Sequence, residues 1–126
     1  MNVISAFNGM SKCDQEEYLK LRNKYNDDII VQSFPELQSA VNLWKGFFEG
    51  SDPKVAKKNI SILGIYYTNK FAEYGVDIKM SQFKHSCKPN AEGMGPGVRA
   101  MKKIKSGQEI TVNHLGANTC NVLLNT

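Results

Sequence analysis

The sequence of 126 residues lacks several features that would place it in a special class of protein. No apolar run approaches the roughly 20 residues that a membrane helix needs. The first residues carry no basic region followed by an apolar stretch, so we expect neither a secretory signal nor a membrane partner. No repeat, low-complexity segment or linker divides the chain, which predicts a single domain over residues 1–126. With 41% apolar and 22% charged residues, the composition is that of a globular protein with a buried core.

Cysteine is scarce, because only Cys13, Cys87 and Cys120 occur, and they lie far apart. An odd number at these spacings argues against a disulfide framework. It predicts three reduced thiols in an intracellular protein, either nuclear or cytoplasmic. The net charge of +4 is a mild basic bias that would help binding to an acidic partner. Direct binding of nucleic acid is not expected from this charge alone.

Residues 11–72 carry helical patterns. Ser11 stands three residues before an acidic side chain, a capping-box arrangement that predicts a helix N-terminus. Pro35 and Pro53 suit the first positions of two further helices. The last of these helices has apolar residues over a wide arc, so we expect it to be the most buried. Gly64 inside it indicates either close packing against another backbone or a weak point, since glycine costs up to about 1 kcal/mol relative to alanine.

Beyond residue 74 the pattern changes from helices to short strands. The segments "GVDIKM" and "GVRAMKKI" are strand candidates, and "QEITVNHL" alternates with Ile110, Val112 and His114 on one face. Gly107 suits a turn that requires a positive φ. Helices followed by strands predict an α+β domain.

Three different functions are open for the segment "SQFKHSCKPNAEGMGPGVRA". Four side chains of the types that bind zinc lie in or after it: His85, Cys87, His114 and Cys120. Their spacing matches no standard zinc finger. A second alternative is a nucleophile and its base formed by Cys87 and His85, although side chains two residues apart rarely reach that geometry. A third is a loop whose proline, asparagine and glycines present the backbone to a small ligand, or else an ordinary exposed hairpin loop.

The stretch "SQFKHSCKPNA", followed by "GVRAMKKIKSGQEITVNHL", resembles the C-terminal half of a SET domain, the fold of protein-lysine methyltransferases. In that family an Asn-His-Ser-Cys-x-Pro-Asn stretch precedes a strand, an I-x-x-G-E-E-(I/L)-T hairpin and a tyrosine. The match runs from Met80 to Leu115. Upstream, the chain is similar to the helical insert of the SMYD branch. The resemblance therefore divides the domain into an insert (6–75), a SET C-terminal core (76–116) and a tail (117–126).

This resemblance implies a small fold of short sheets, with the His-Ser-Cys segment beside the C-terminal segment in a knot-like arrangement. It implies S-adenosylmethionine as the methyl donor and a protein lysine as the acceptor, which enter a narrow channel from opposite faces. By position, Lys84 and His85 fall where the family holds the cofactor. Phe71 and Phe83 fall where apolar side chains line the channel, and His114 falls at the family's tyrosine in the methyl-transfer site.

Departures from the family pattern leave two functions open. Lys84 replaces an asparagine whose amide both donates and accepts, and it adds positive charge near a sulfonium ligand. His114 replaces a tyrosine, and a buried histidine bonded to a carbonyl is its alternative role. Phe71 and Phe83 could equally be core aromatics. The family's Gly-x-Gly loop has no counterpart, so we expect an N-terminally incomplete domain: either a protein-lysine N-methyltransferase, or a catalytically inactive SET-fold module that binds a protein partner.

Overall fold

A computed structural model describes residues 2–70, 75–94 and 97–124. The described residues form helices first and mostly short strands second, which confirms the predicted α+β class. They belong to two compact units, Met1–Thr68 and Asn69–Thr126. The expectation of a single domain stays a prediction.

Helices make up the regular structure of the first unit within the described residues. A short 3₁₀ turn lies between the second and third helices at Lys24–Asn26. The last helix ends at Asn69, where the second unit begins. The helices are α1 (Asn2–Asn8), α2 (Lys12–Leu19), α3 (Asp28–Ser33), α4 (Pro35–Phe47) and α5 (Pro53–Asn69).

Local sequence signals set the start of these helices. The hydroxyl of Ser11 accepts a hydrogen bond from the amide of Asp14 at 3.1 Å, so the predicted cap of α2 is confirmed. Pro35 and Pro53 are the first residues of α4 and α5, also as predicted. Contacts within three residues therefore decide where the first unit becomes helical.

The core of the first unit lies along α5, which confirms the prediction that this helix is the most buried. Ile62 and Leu63 are fully enclosed, with 0% of their surface exposed. Tyr18 of α2 donates its hydroxyl hydrogen to the carbonyl of Ile62 at 2.8 Å. Trp44 of α4 stacks on Tyr67 with 5.7 Å between ring centroids. Apolar and aromatic burial thus stabilises this unit.

Gly64 is covered by the side chain of Asn23. A Cβ atom at Gly64 would lie 2.7 Å from Nδ2 and 2.9 Å from Cγ of Asn23, closer than real carbon contacts allow. Asn23 is itself fixed, because its Oδ1 accepts from the amide of Tyr25 at 3.0 Å and its Nδ2 donates to the carbonyl of Ser61 at 3.5 Å. Close packing therefore explains the glycine, but against a side chain rather than a backbone.

Short strands and two helices make up the second unit. Strand β1 (Lys84–His85) pairs in parallel with β4 (Thr111–Val112), and β2 (Ala91–Met94) pairs antiparallel with β3 (Gly97–Ala100). The helices are α6 (Ile78–Ser81) and α7 (Ala117–Leu124).

Three sequence predictions about this unit are confirmed and one is wrong. Strand β3 lies inside "GVRAMKKI", and β4 lies inside "QEITVNHL". Gly107 has the predicted positive φ, at +84°. The strand predicted in "GVDIKM" is wrong, because Ile78–Ser81 is a helical turn closed by the amide of Ser81 on the carbonyl of Asp77 at 2.8 Å. Four residues are too few to show a helical period, so apolar alternation alone misled the prediction.

Candidate functional site

The His-Ser-Cys segment is anchored by the parallel pairing of β1 with β4. Lys84 lies opposite Thr111 and His85 opposite Val112. The amide of Ser86 continues the pairing by donating to the carbonyl of Val112 at 3.0 Å. The segment therefore lies beside the chain that follows the "KSGQ" turn.

Each ring nitrogen of His85 lies close to a neighbouring group: Nδ1 to a backbone amide, and Nε2 to two sulfur atoms. Its Nδ1 accepts a hydrogen bond from the backbone amide of His114 at 3.1 Å. A neutral imidazole carries one proton, so the proton of His85 is on Nε2. That nitrogen lies 3.4 Å from the sulfur of Cys87 and 3.8 Å from the sulfur of Cys120. His85 thus directs an N–H donor at two sulfur atoms.

Cys87 and Cys120 form a disulfide with 5.5 Å between their Cα atoms. The expectation of three reduced thiols is therefore wrong for these two and right only for Cys13, which is free and exposed. Their separation of 33 positions concealed the pair, because the pairing of β1 with β4 returns the chain to the His-Ser-Cys segment before α7 begins. The disulfide joins this segment to α7.

Only three of the four candidate zinc ligands lie close together in the structure. The ligand atoms of His85, Cys87 and Cys120 lie within 4.8 Å of one another. The fourth candidate, His114, instead directs its Nε2 at the carbonyl of Phe83 at 2.6 Å. Zinc binds thiolates and an unprotonated imidazole nitrogen, whereas these sulfurs are bonded to each other and the facing Nε2 holds a proton. The trio is a disulfide with a hydrogen-bond donor, and this state does not suit a metal.

His114 is placed by a contact with the backbone. A carbonyl oxygen only accepts, so the ring nitrogen beside the carbonyl of Phe83 is the donor and carries the proton of a neutral imidazole. Its ring centroid lies 6.2 Å from that of His85. The two histidines, which are separated by 28 residues in the sequence, therefore stand side by side across the β1 and β4 pair.

The other residues assigned from the resemblance are less closely gathered. The ammonium of Lys84 lies 3.8 Å from a carboxylate oxygen of Glu109, and both side chains are largely exposed, at 67% and 63%. Such a surface pair contributes little to stability. Phe83 is half-buried beside β1. Phe71 lies outside the described residues, so the pair of channel aromatics is not placed as a whole.

Asn90 has a role that local sequence reasoning missed. Its side-chain Nδ2 donates to the carbonyl of Glu109 at 2.9 Å, and its Oδ1 accepts from the amide of Thr111 at 2.9 Å. Its backbone carbonyl accepts from the amide of Met101 at 2.8 Å. Only 4% of the residue is exposed, so these bonds have no competition from water. Asn90 thus ties the loop after the His-Ser-Cys segment to Thr111 of β4 and to the residue two before that strand.

A groove of about 410 Å³ lies on the first unit, alongside α5. Three exposed lysines, named the groove lysines below, stand one turn apart or less on one face of α5. Three apolar side chains also line the groove. The groove lysines are Lys54, Lys57 and Lys58, and the apolar lining is Leu19, Leu21 and Ile65.

Comparison of the chain with family models, curated proteins and solved structures finds no match. Within the described residues, no helix combines the length and the apolar character that a membrane span requires. The case for a function therefore depends on the site geometry and on the motif resemblance.

Proposed function

We propose that the chain is a SET-type domain of the protein-lysine methyltransferase family, resident in the nucleus or cytoplasm. The proposal is supported by the parallel pairing of β1 with β4, which sets the His-Ser-Cys segment beside the C-terminal segment. It is also supported by Asn90, the last residue of the "HSCKPN" motif, whose buried side chain bonds to Thr111 of β4 and to Glu109 just before that strand. In both cases, residues that lie far apart in the sequence of the family motif are in contact.

Within this family, the function that we propose is binding of a protein partner without methyl transfer. One observation carries this choice: the imidazole of His114, at the position of the family's tyrosine, donates to the carbonyl of Phe83 at 2.6 Å. This bond ties the chain just after β4 to Phe83, the residue before β1. The N–H that the carbonyl of Phe83 occupies is not free to bind a lysine.

The residues at the cofactor positions do not fit S-adenosylmethionine. Lys84 offers only donors, its positive charge repels a sulfonium, and its ammonium lies near Glu109 at the surface. His85 has one ring nitrogen bonded to the amide of His114 and the other facing the disulfide sulfurs. These residues therefore do not support methyl transfer from that cofactor.

The groove on the first unit has the charged and apolar side chains that the binding of a protein partner needs. Its lysines attract carboxylates, and its apolar lining takes up an aliphatic or aromatic side chain. An acidic peptide segment that carries apolar side chains matches both features. The net charge of +4 favours the encounter with such a partner.

Fluorescence anisotropy with a fluorescein-labelled peptide of alternating glutamate and leucine tests this binding. Changing the three groove lysines to glutamate should weaken binding about tenfold or more, since each exposed ion pair contributes up to about 1 kcal/mol. The matched control reverses the same number of charges at Lys102, Lys103 and Lys105, which lie on the second unit. Equal weakening by both triple variants, or no binding by the native chain, would contradict the proposal.

Titration calorimetry with S-adenosylmethionine tests the absence of methyl transfer. The native chain should give no heat of binding at millimolar cofactor, which corresponds to a binding free energy weaker than about −4 kcal/mol. The double variant Lys84→Asn with His114→Tyr restores the family residues and is the matched comparison. Micromolar binding by the native chain would contradict the proposal, and binding by the double variant alone would support it.

A further inference from the structure

We propose that Cys87 and Cys120 form a reversible thiol–disulfide centre that exchanges with a small thiol of the glutathione type. The bond joins the His-Ser-Cys segment to α7, and the Nε2 of His85 lies within 3.8 Å of both sulfurs. The reversibility of the bond rests on the proposed residence in the nucleus or cytoplasm, where disulfides are uncommon and those that occur are mostly transient or redox-sensing. This inference does not depend on the proposed partner binding, because its readout involves neither partner nor cofactor.

The two sulfurs differ in access. Cys87 is half-buried on the loop after β1, whereas only 3% of Cys120 is exposed in α7. An attacking thiolate must approach a sulfur along the disulfide axis, so the accessible sulfur is the one it reaches. The structure therefore assigns Cys87 as the attacked sulfur and Cys120 as the leaving group.

Reduction follows in two balanced steps. The thiolate of the reagent bonds to the sulfur of Cys87 while the Cys87–Cys120 bond breaks, and the electron pair of that bond goes to Cys120. A second reagent thiolate then attacks the reagent sulfur of the mixed disulfide and releases the thiolate of Cys87. The reagent leaves as its own disulfide, and the protons that the two reagent thiols gave to solvent return to the protein dithiol.

His85 assists by hydrogen bonding rather than by giving up its proton. Its Nδ1 accepts from the amide of His114, so the neutral ring has only the Nε2 proton, and losing it would leave an unfavourable imidazolate. The Nε2–H instead stabilises the negative charge that forms on the departing sulfur, which makes that sulfur a better leaving group. Once protonated, the thiol of Cys120 has an acceptor at 3.6 Å in the Oδ1 of Asn113.

The first test is a redox titration of the full chain. The protein is equilibrated in buffers with increasing ratios of glutathione to glutathione disulfide, alkylated, and weighed by intact mass spectrometry. We expect a reversible change from one alkylated cysteine, Cys13, to three within this series. A pair that stays oxidised at the most reducing ratio, or stays reduced at the most oxidising one, would overturn the proposal. A reduced chain that takes up one zinc ion and no longer reoxidises would overturn it as well.

The second test concerns access. Cys120→Ser leaves the accessible sulfur alone, and Cys87→Ser leaves the buried one. In the Cys120→Ser chain, glutathione disulfide should add one glutathione at Cys87, assigned by peptide mapping, besides the one that it adds at the exposed Cys13. The Cys87→Ser chain should react more slowly at Cys120, with Cys13 as the internal reference in both. Faster addition at Cys120 would contradict the assignment.

The third test isolates His85. His85→Gln keeps an N–H donor and His85→Phe does not, and circular dichroism of the oxidised chains shows whether both are folded. Reduction by glutathione should be slower in the phenylalanine variant than in the native chain, because the departing sulfur then has no N–H donor and is a poorer leaving group. The glutamine variant should retain part of the native rate. Equal rates in the native and phenylalanine chains would overturn the role of His85.

Discussion

The two units of this chain are stabilised in different ways. The first unit buries apolar and aromatic side chains such as Ile62, Leu63 and Trp44. The second unit has short strands, and its described segments are joined by the polar side chain of Asn90, the ring of His85 and one disulfide. Burial is distributed over many contacts, whereas each polar bridge depends on one residue. Substitutions should therefore act differently in the two units.

Leu63→Ala should have the largest effect, because it removes a side chain with 0% exposure from the core of the first unit. We expect a loss of about 2 to 5 kcal/mol in the free energy of unfolding. Trp44 is the single tryptophan of the chain, so its fluorescence during urea unfolding reports on the first unit alone. Leu43→Ala is the matched control, since Leu43 is 61% exposed and its loss should change stability by less than about 0.5 kcal/mol.

Asn90→Ala should be nearly as damaging in the second unit. It leaves the carbonyl of Glu109 and the amide of Thr111 without their side-chain partner, at a cost of about 1 to 3 kcal/mol. Amide hydrogen exchange of the second unit measures this loss. The exposed Asn121 provides the control, and Asn121→Ala should leave exchange unchanged. Equal effects of the two alanines would show that the bridge does not stabilise the unit.

Gly64→Ala and Gly46→Ala should shift stability in opposite directions. The methyl group at Gly64 meets the side chain of Asn23, and overpacking of this kind costs about 1 to 3 kcal/mol, more than the gain in helix propensity. No atom lies within 4 Å of a Cβ at Gly46, so alanine there should stabilise α4 by up to about 1 kcal/mol. Urea midpoints followed by tryptophan fluorescence measure both. A stabilising Gly64→Ala would mean that Asn23 moves aside freely.

Tyr18→Phe should have the smallest effect at neutral pH and a distinct effect in alkali. Losing the hydroxyl bond to Ile62 should cost about 1 kcal/mol. Burial, with a smaller contribution from Tyr66, raises the pKa of Tyr18 above that of an unfolded tyrosine. The stability contributed by the neutral hydroxyl is therefore fully present below about pH 10 and is lost as the pH rises toward the raised pKa.

Urea unfolding at a series of alkaline pH values checks the sign of this dependence. The native chain should lose stability above about pH 10 more steeply than Tyr18→Phe. Burial also raises the pKa of Tyr25, so the variant should retain part of the slope. Identical slopes for the two chains would show that Tyr18 ionises as it does in the unfolded state.

Sequence reasoning succeeded where the decisive contacts are local. Ser11 caps α2 through an amide three residues away, and Pro35 and Pro53 fix their own φ at the first position of a helix. It failed where a residue meets a partner far along the chain. The partners of Asn90 are 19 and 21 residues away, and the two bonded cysteines are 33 apart.

In the candidate site, too, the local sequence pattern was readable and the contacts between distant residues were not. The "HSCKPN" motif singled out this segment of the sequence, but the roles of its residues were assigned by position and not by contact. The position of His114 was evident from the motif, whereas its bond to the carbonyl of Phe83 depends on the register of β1 against β4. Registers between strands of two residues leave no readable pattern in the sequence.

The account depends most on the placement of the His-Ser-Cys segment beside β4. Amide hydrogen exchange measured by NMR tests it at Ser86, Thr111 and His114, whose amides donate to Val112, Asn90 and His85. We expect all three amides to exchange far more slowly than in an unfolded chain. Exchange of all three at the unfolded rate, while the amides of α5 stay protected, would contradict the strand pairing that supports the family proposal.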